Sequence, residues 1–151
     1  MLFFTLAGTV LIGGVSLFAN LNRSVYDEKA YLLLPDREVE LTIAATSEAR
    51  THGLSRKESL PTDAAMFFVF DGADKYGIWM KDMKFSIDII WLDEKGKIVH
   101  VERDVSPDTY PKVFFPPEKS LYILEANAGF AKKNDLKPGK VLNFTQKLTQ
   151  N

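Results

Sequence analysis

Ile87-Asp88-Ile89-Ile90-Trp91-Leu92, running through Asp93-Glu94-Lys95-Gly96 into Lys97 to Arg103, decides the fold class of this 151-residue chain. The first run is apolar on both faces, rich in β-branched and aromatic residues, and short, as expected of a central strand. Gly96 stands where a tight turn needs positive φ, so the two runs predict a β-hairpin. Ala64-Ala65-Met66-Phe67-Phe68-Val69-Phe70 has the same two-faced apolar character and predicts a second central strand. Glu38-Val39-Glu40-Leu41-Thr42-Ile43 alternates polar with apolar, the period of a strand with one face in water. Tyr76 to Lys81, Leu121 to Glu125 and Lys140 to Gln146 add further strands, and Tyr31-Leu32-Leu33-Leu34 an edge strand. Thr46 or Ser47 is placed to cap a short helix that Gly53 ends, with Leu54 pinning that end to the core. A second short helix is expected between Asn127 and Asn134, followed by a turn at Lys137-Pro138-Gly139. Eight or so short strands with two short helices predict a mostly-β, compact β-sandwich or partly closed barrel.

The length allows a single core, and the expected division is a membrane segment at 1–22, a linker at 23–36 and one β-rich domain at 37–148. From Leu2 to Ala19 there is no charge, and a helix of that length would rise roughly 27 Å, close to the thickness of a bilayer core. A cut after Ala19 would place Leu17 where a signal peptide carries a small residue, so an uncleaved anchor is expected over a secreted product. The nearby basic residues Arg23 and Lys29 follow the segment and by the positive-inside rule point the domain inward. Lys plus Arg total 19 against 20 for Asp plus Glu, so no strong field draws the chain to nucleic acid. Cysteine is absent, which excludes disulfides and thiolate chemistry. With only His52 and His100, and neither a phosphate-cradling loop nor a GxSxG turn, no metal, cofactor or nucleophilic serine is expected.

Gly53-Leu54-Ser55-Arg56, Leu60-Pro61, Met66 to Phe70, Ile78-Trp79-Met80-Lys81, Ser86 to Trp91, Leu124-Glu125-Ala126-Asn127-Ala128-Gly129 and Leu136-Lys137-Pro138-Gly139 follow one another in the order of a known family. Over about residues 40 to 144 the chain resembles the bacterial and archaeal family called domain of unknown function 192. The resemblance implies a jelly-roll-like β-sandwich, often behind a signal sequence or membrane anchor, and no known activity. It is the ground for expecting the domain outside the cytoplasm, against the local charge rule. Two departures matter: the segment Asp104 to Ser120 lacks the cysteines common in relatives, and Asp82 replaces an amide after Trp79-Met80-Lys81.

The residues most able to carry chemistry are carboxylates where apolar side chains belong. Asp88 shares a strand face with Ile90 and Leu92, and Glu125 with Leu121 and Ile123. A buried carboxylate needs a partner, a raised pKa or an open cleft, and Lys81, Arg50 and Arg56 are the cations at hand. Structural ion pairing or backbone hydrogen bonding stands beside the alternative of a binding or acid–base pair. Trp79 and Lys81, with Tyr76 or Trp91, could form an aromatic platform beside a charge, while Trp91 suits the core. The ligand-binding candidates are therefore Trp79, Lys81, Asp88, Glu125, Tyr76 and Arg56. Asp104 to Ser120, about 17 residues with four prolines, exceeds the usual loop length and offers Tyr110, Phe114 and Phe115 as a partner contact or a lid. Three functions remain open: a membrane-tethered envelope module binding a small molecule, glycan or protein, a hydrolase using Asp88 and Glu125 across a cleft, and an assembly factor with an aromatic loop.

Overall fold

The computed structural model describes residues 26–150, with the side chains of 29–147, so the expected anchor at 2–19 lies outside the described residues. Among the described residues no helix is long and apolar enough to cross a membrane. The elements are β1 (Tyr26–Leu33), β2 (Glu38–Ala44), α1 (Ser47–His52), β3 (Ala64–Asp74), β4 (Ile78–Trp79), β5 (Ile87–Leu92), β6 (Ile98–Val105), β7 (Val113–Phe114), β8 (Ser120–Asn127), α2 (Phe130–Lys133) and β9 (Asn143–Gln150). Seven strands form one mixed sheet in the order β6-β5-β8-β3-β2-β1-β9, and β4 and β7 form a separate two-stranded ribbon.

The sequence patterns account for most of this. All six residues of β5 are buried, and Gly96 takes φ 74° in the turn to β6. The Asp93 carboxylate accepts the N–H groups of Lys95 and Lys97 there. Thr46 caps α1 by accepting the Ala49 N–H at 3.1 Å, and Gly53 ends it at φ 51°.

The mostly-β class holds, but its arrangement differs from the predicted sandwich. One sheet, rather than two of similar size, carries a core on each face. Phe67, Ile90, Leu92, Tyr122 and Leu124 belong to the first core. Met66, Phe68, Ile89, Trp91 and Ile123 belong to the second. Alternation along β3, β5 and β8 sends successive side chains to opposite cores. The sheet is not closed into a barrel, although at one end its edges are bridged: Ile98 N–H donates to the Lys140 carbonyl and Leu142 N–H to that of Gly96.

Three boundaries also move. The expected linker 23–36 contains β1, which lies inside the sheet between β2 and β9 rather than at its edge. The predicted strand Tyr76 to Lys81 contracts to Ile78–Trp79 and pairs with β7, not with the main sheet. The long loop 104–120 is ordered by a short 3-10 turn at Pro107–Thr109 and by β7.

β2 and β3 run parallel, with Glu40 opposite Ala64 and Ala44 opposite Phe68. Parallel neighbours require a crossover, and here it is α1 with the segment that follows. Leu54, Phe68 and Trp91 share the second core, so the crossover covers that face. This places a helix end, the ribbon and the middle of the sheet around one hollow.

Candidate functional site

Asp88 and Glu125 occupy adjacent strands but opposite faces. In the β5–β8 register Asp88 pairs with Ala126 and Ile89 with Glu125, so Glu125 joins the second face and Asp88 the first. A carboxylate pair across one cleft, as a glycosidase requires, is therefore not formed.

Asp88 is fully buried and both its oxygens are used. Its Oδ1 accepts the Asp104 N–H at 2.8 Å, and its Oδ2 accepts the Ala131 N–H at 2.7 Å. The register between β5 and β6 slips at this position, and Asp104 takes φ 51°. The carboxylate thus ties off a β-bulge on one side and the first turn of α2 on the other, supplying acceptors that the sheet and helix leave missing. It is a structural group.

Glu125 is different. It is 4 % exposed, stands between Met66 of β3 and Ile89 of β5 in the sheet, and among the described residues no donor or cation is paired with it. Burial pushes its carboxyl up to about 8, because the charged form loses its hydration with nothing in return. It lines a cavity of about 250 Å³.

The other walls come from the crossover and the segment before β4. Arg50 and His52 of α1, Gly53, Phe68 and Phe70 of β3, Tyr76, Gly77 and Trp79 form much of the lining. Arg50 is held inward: Nη1 donates to the carbonyls of Ala45 and Val69 at 2.5 and 2.8 Å, and the guanidinium lies 5.1 Å from the centre of the Phe70 ring. Phe70 and Tyr76 stack with centroids 3.6 Å apart. Tyr76 is fixed twice more, its hydroxyl donating to the Gly72 carbonyl at 2.6 Å and its own carbonyl accepting from Trp91 Nε1 at 2.9 Å. Gly77 is required for close packing, since a Cβ there would lie 2.5 Å from Phe115 and 2.6 Å from Val113. Trp79, 50 % exposed, forms the rim. A neutral or ionised acid inside an aromatic wall can hold one small polar or charged group and stack its carbon skeleton.

Of the residues predicted from sequence, Trp79, Tyr76 and Glu125 come together here, whereas Lys81, Arg56 and Asp88 do not. Lys81 is exposed past β4, and its carbonyl accepts Ser55 Oγ at 2.9 Å. Arg56 is exposed, 3.9 Å from Asp82, and borders a separate shallow hollow with Thr42 and Lys57. Of the expected partner-contact residues, Phe114 is 7 % exposed and belongs to the second core, while Tyr110 and Phe115 are exposed. Phe70 and His52 were not legible as site residues, and Arg50 was read only as a cation at hand for a buried acid: Phe70 is one more apolar residue of β3, and the β2–β3 crossover is what carries α1 to the hollow. Among the described residues no cluster of three or more His, Asp or Glu side chains could hold a metal.

Residues 33–144 match the family model domain of unknown function 192, described as an uncharacterised ACR. The chain belongs to that family. No curated protein matches the sequence significantly. Among solved structures, a protein from Sinorhizobium meliloti 1021 provisionally described as a transcription regulator is similar at TM-score 0.69 and 21 % identity, over 83 % of this chain and 98 % of that one. A protein of unknown function from Novosphingobium aromaticivorans is similar at TM-score 0.67 and 20 % identity, over 77 % and 82 %. At these identities the similarity concerns the fold.

Proposed function

We propose that the domain is a binding module that takes a small ligand into the hollow between α1, the segment before β4 and the middle of β8. The observation that carries this is Glu125: a buried acid without a partner among the described residues, lining a cavity with aromatic walls. An acid needed only for the fold would be satisfied as Asp88 is, because leaving one unpaired in an apolar wall costs several kcal/mol. The apolar run 2–19 would tether the module to the membrane, with the domain on the envelope side.

The test is a ligand panel containing neutral sugars, small carboxylates and small amines, titrated into the full-length chain in maltoside micelles and read by calorimetry. Binding that Trp79→Ala abolishes, with the thermal midpoint unchanged, supports the module. A panel in which nothing binds, or ligands indifferent to Trp79, refutes it. Because Asp88 and Glu125 lie on opposite faces, no geometry favours the hydrolase. Tyr110 and Phe115 are the exposed aromatics left for an assembly contact.

A further inference from the structure

We propose that the ligand is a small organic ammonium ion, its charged nitrogen against the Glu125 carboxyl and its carbon substituents against Tyr76 and Trp79. This rests on the binding-module reading and adds the chemical class. In the sheet Glu125 is flanked by Met66 and Ile89, neither of which carries charge, and among the described residues it has no cationic partner. A cation from the ligand would gain strongly from the carboxylate in so poorly hydrated a place.

The aromatic lining points the same way, since the faces of Trp, Tyr and Phe attract cations and recognise ammonium groups in cages. The Phe70 ring is already taken, with the Arg50 guanidinium over it and Tyr76 stacked on it, which leaves the half-exposed Trp79 ring and the other face of Tyr76 to meet the ligand. Arg50 itself is engaged by two carbonyls, so it is poorly placed to recruit an anion. An anionic ligand would also meet the acid at the floor. A volume of about 250 Å³ lies just below the range of about 300–1,000 Å³ typical of drug-sized ligands, which limits the occupant to a small one.

Among the described residues the charged or titratable groups lining the hollow with Glu125 are Arg50 and His52 from α1 and Tyr76 before β4; β3 contributes Phe68 and Phe70 and β5 Ile87, none of which titrates. The test titrates choline, whose charge is fixed, and its uncharged isostere 3,3-dimethylbutan-1-ol into the full-length chain in maltoside micelles from pH 6 to 9.5. Choline should bind at least tenfold more tightly than the isostere. Its Kd should fall about tenfold per pH unit up to about 8 and level off above, because the carboxyl must ionise to pair with it. His52→Gln, which removes the pocket's imidazole, should keep this profile. Glu125→Gln should abolish choline binding while melting as a folded protein. Equal binding of the isostere, affinity that falls as pH rises, or undiminished choline binding by Glu125→Gln would each overturn the inference. If a sugar or carboxylate binds at Trp79 and choline does not, the ammonium assignment fails and the binding module stands. If nothing binds, both fail.

Discussion

Two acids one residue out of phase on neighbouring strands meet opposite fates, and burial alone does not separate them. Asp88 has two backbone N–H donors, while Glu125 has an aromatic-walled cavity. Asp88→Asn would keep the volume but turn one acceptor into an amide donor facing a backbone N–H. It should lower stability by about 3 kcal/mol, seen as a lower urea midpoint at unchanged m-value. Glu125 acts with the opposite sign. Its folded carboxyl sits at about 8 against an ordinary 4.5, so below about 4.5 both states are protonated and nothing is lost. As pH rises between those values the unfolded chain has released its proton and the folded one has not, and stability falls by up to about 1.4 kcal/mol per unit, levelling above about 8. Glu125→Gln should flatten that slope and be more stable than the native chain at pH 9. Urea titrations at pH 5, 7 and 9 would show it; parallel curves for the two proteins would mean that Glu125 has a partner. The sequence revealed both acids as out of place, because period-2 alternation assigns each to an apolar face. It could not distinguish them, because the distinction depends on Asp104 and Ala131, which only the tertiary fold brings to Asp88.

At the scale of elements, legibility followed local chemistry. β2, β5, the turn at Gly96 and both ends of α1 could be read because alternation, turn residues and caps act within a few positions. β4 could not, since its pairing with β7 joins Ile78 to Phe114 across 36 positions of chain, and the parallel β2–β3 pair leaves no trace in either strand's pattern. β1 was masked by its charged residues, which read as a linker. The β4–β7 ribbon depends on Gly77, and a methyl group there would strike Val113 and Phe115. Gly77→Ala should therefore displace the ribbon and the Trp79 rim. Overpacking of this kind costs about 1–3 kcal/mol. Because the ribbon stands outside the seven-stranded sheet, amide shifts should concentrate at 76–79 and 113–115. Nitrogen–proton correlation spectra would test this, and changes spread evenly over β3, β5 and β8 would refute it.

Taken whole, the molecule is one sheet with a core on each face, and the three strands β3, β5 and β8 belong to both. Their side chains alternate between Phe67, Ile90 and Leu124 on one side and Phe68, Trp91 and Ile123 on the other. Neither core can dissolve without releasing strands that the other needs, so the two should unfold together even though they do not touch. Phe67 is 1 % and Phe68 2 % exposed. Replacing either by Ala removes a buried ring and should cost about 3–5 kcal/mol. The decisive feature is where the loss is felt. Trp91 is fully buried in the second core, so its fluorescence reports on the face opposite Phe67. In Phe67→Ala, the Trp91 transition and the far-UV circular dichroism transition should move to lower urea together and remain superimposed, as one cooperative unit requires. A Trp79→Phe background leaves Trp91 as the sole indole and keeps the reading clean. If Trp91 instead keeps its original midpoint while the dichroism shifts, the two faces melt independently. The pocket over β8 would then be anchored to the second core alone.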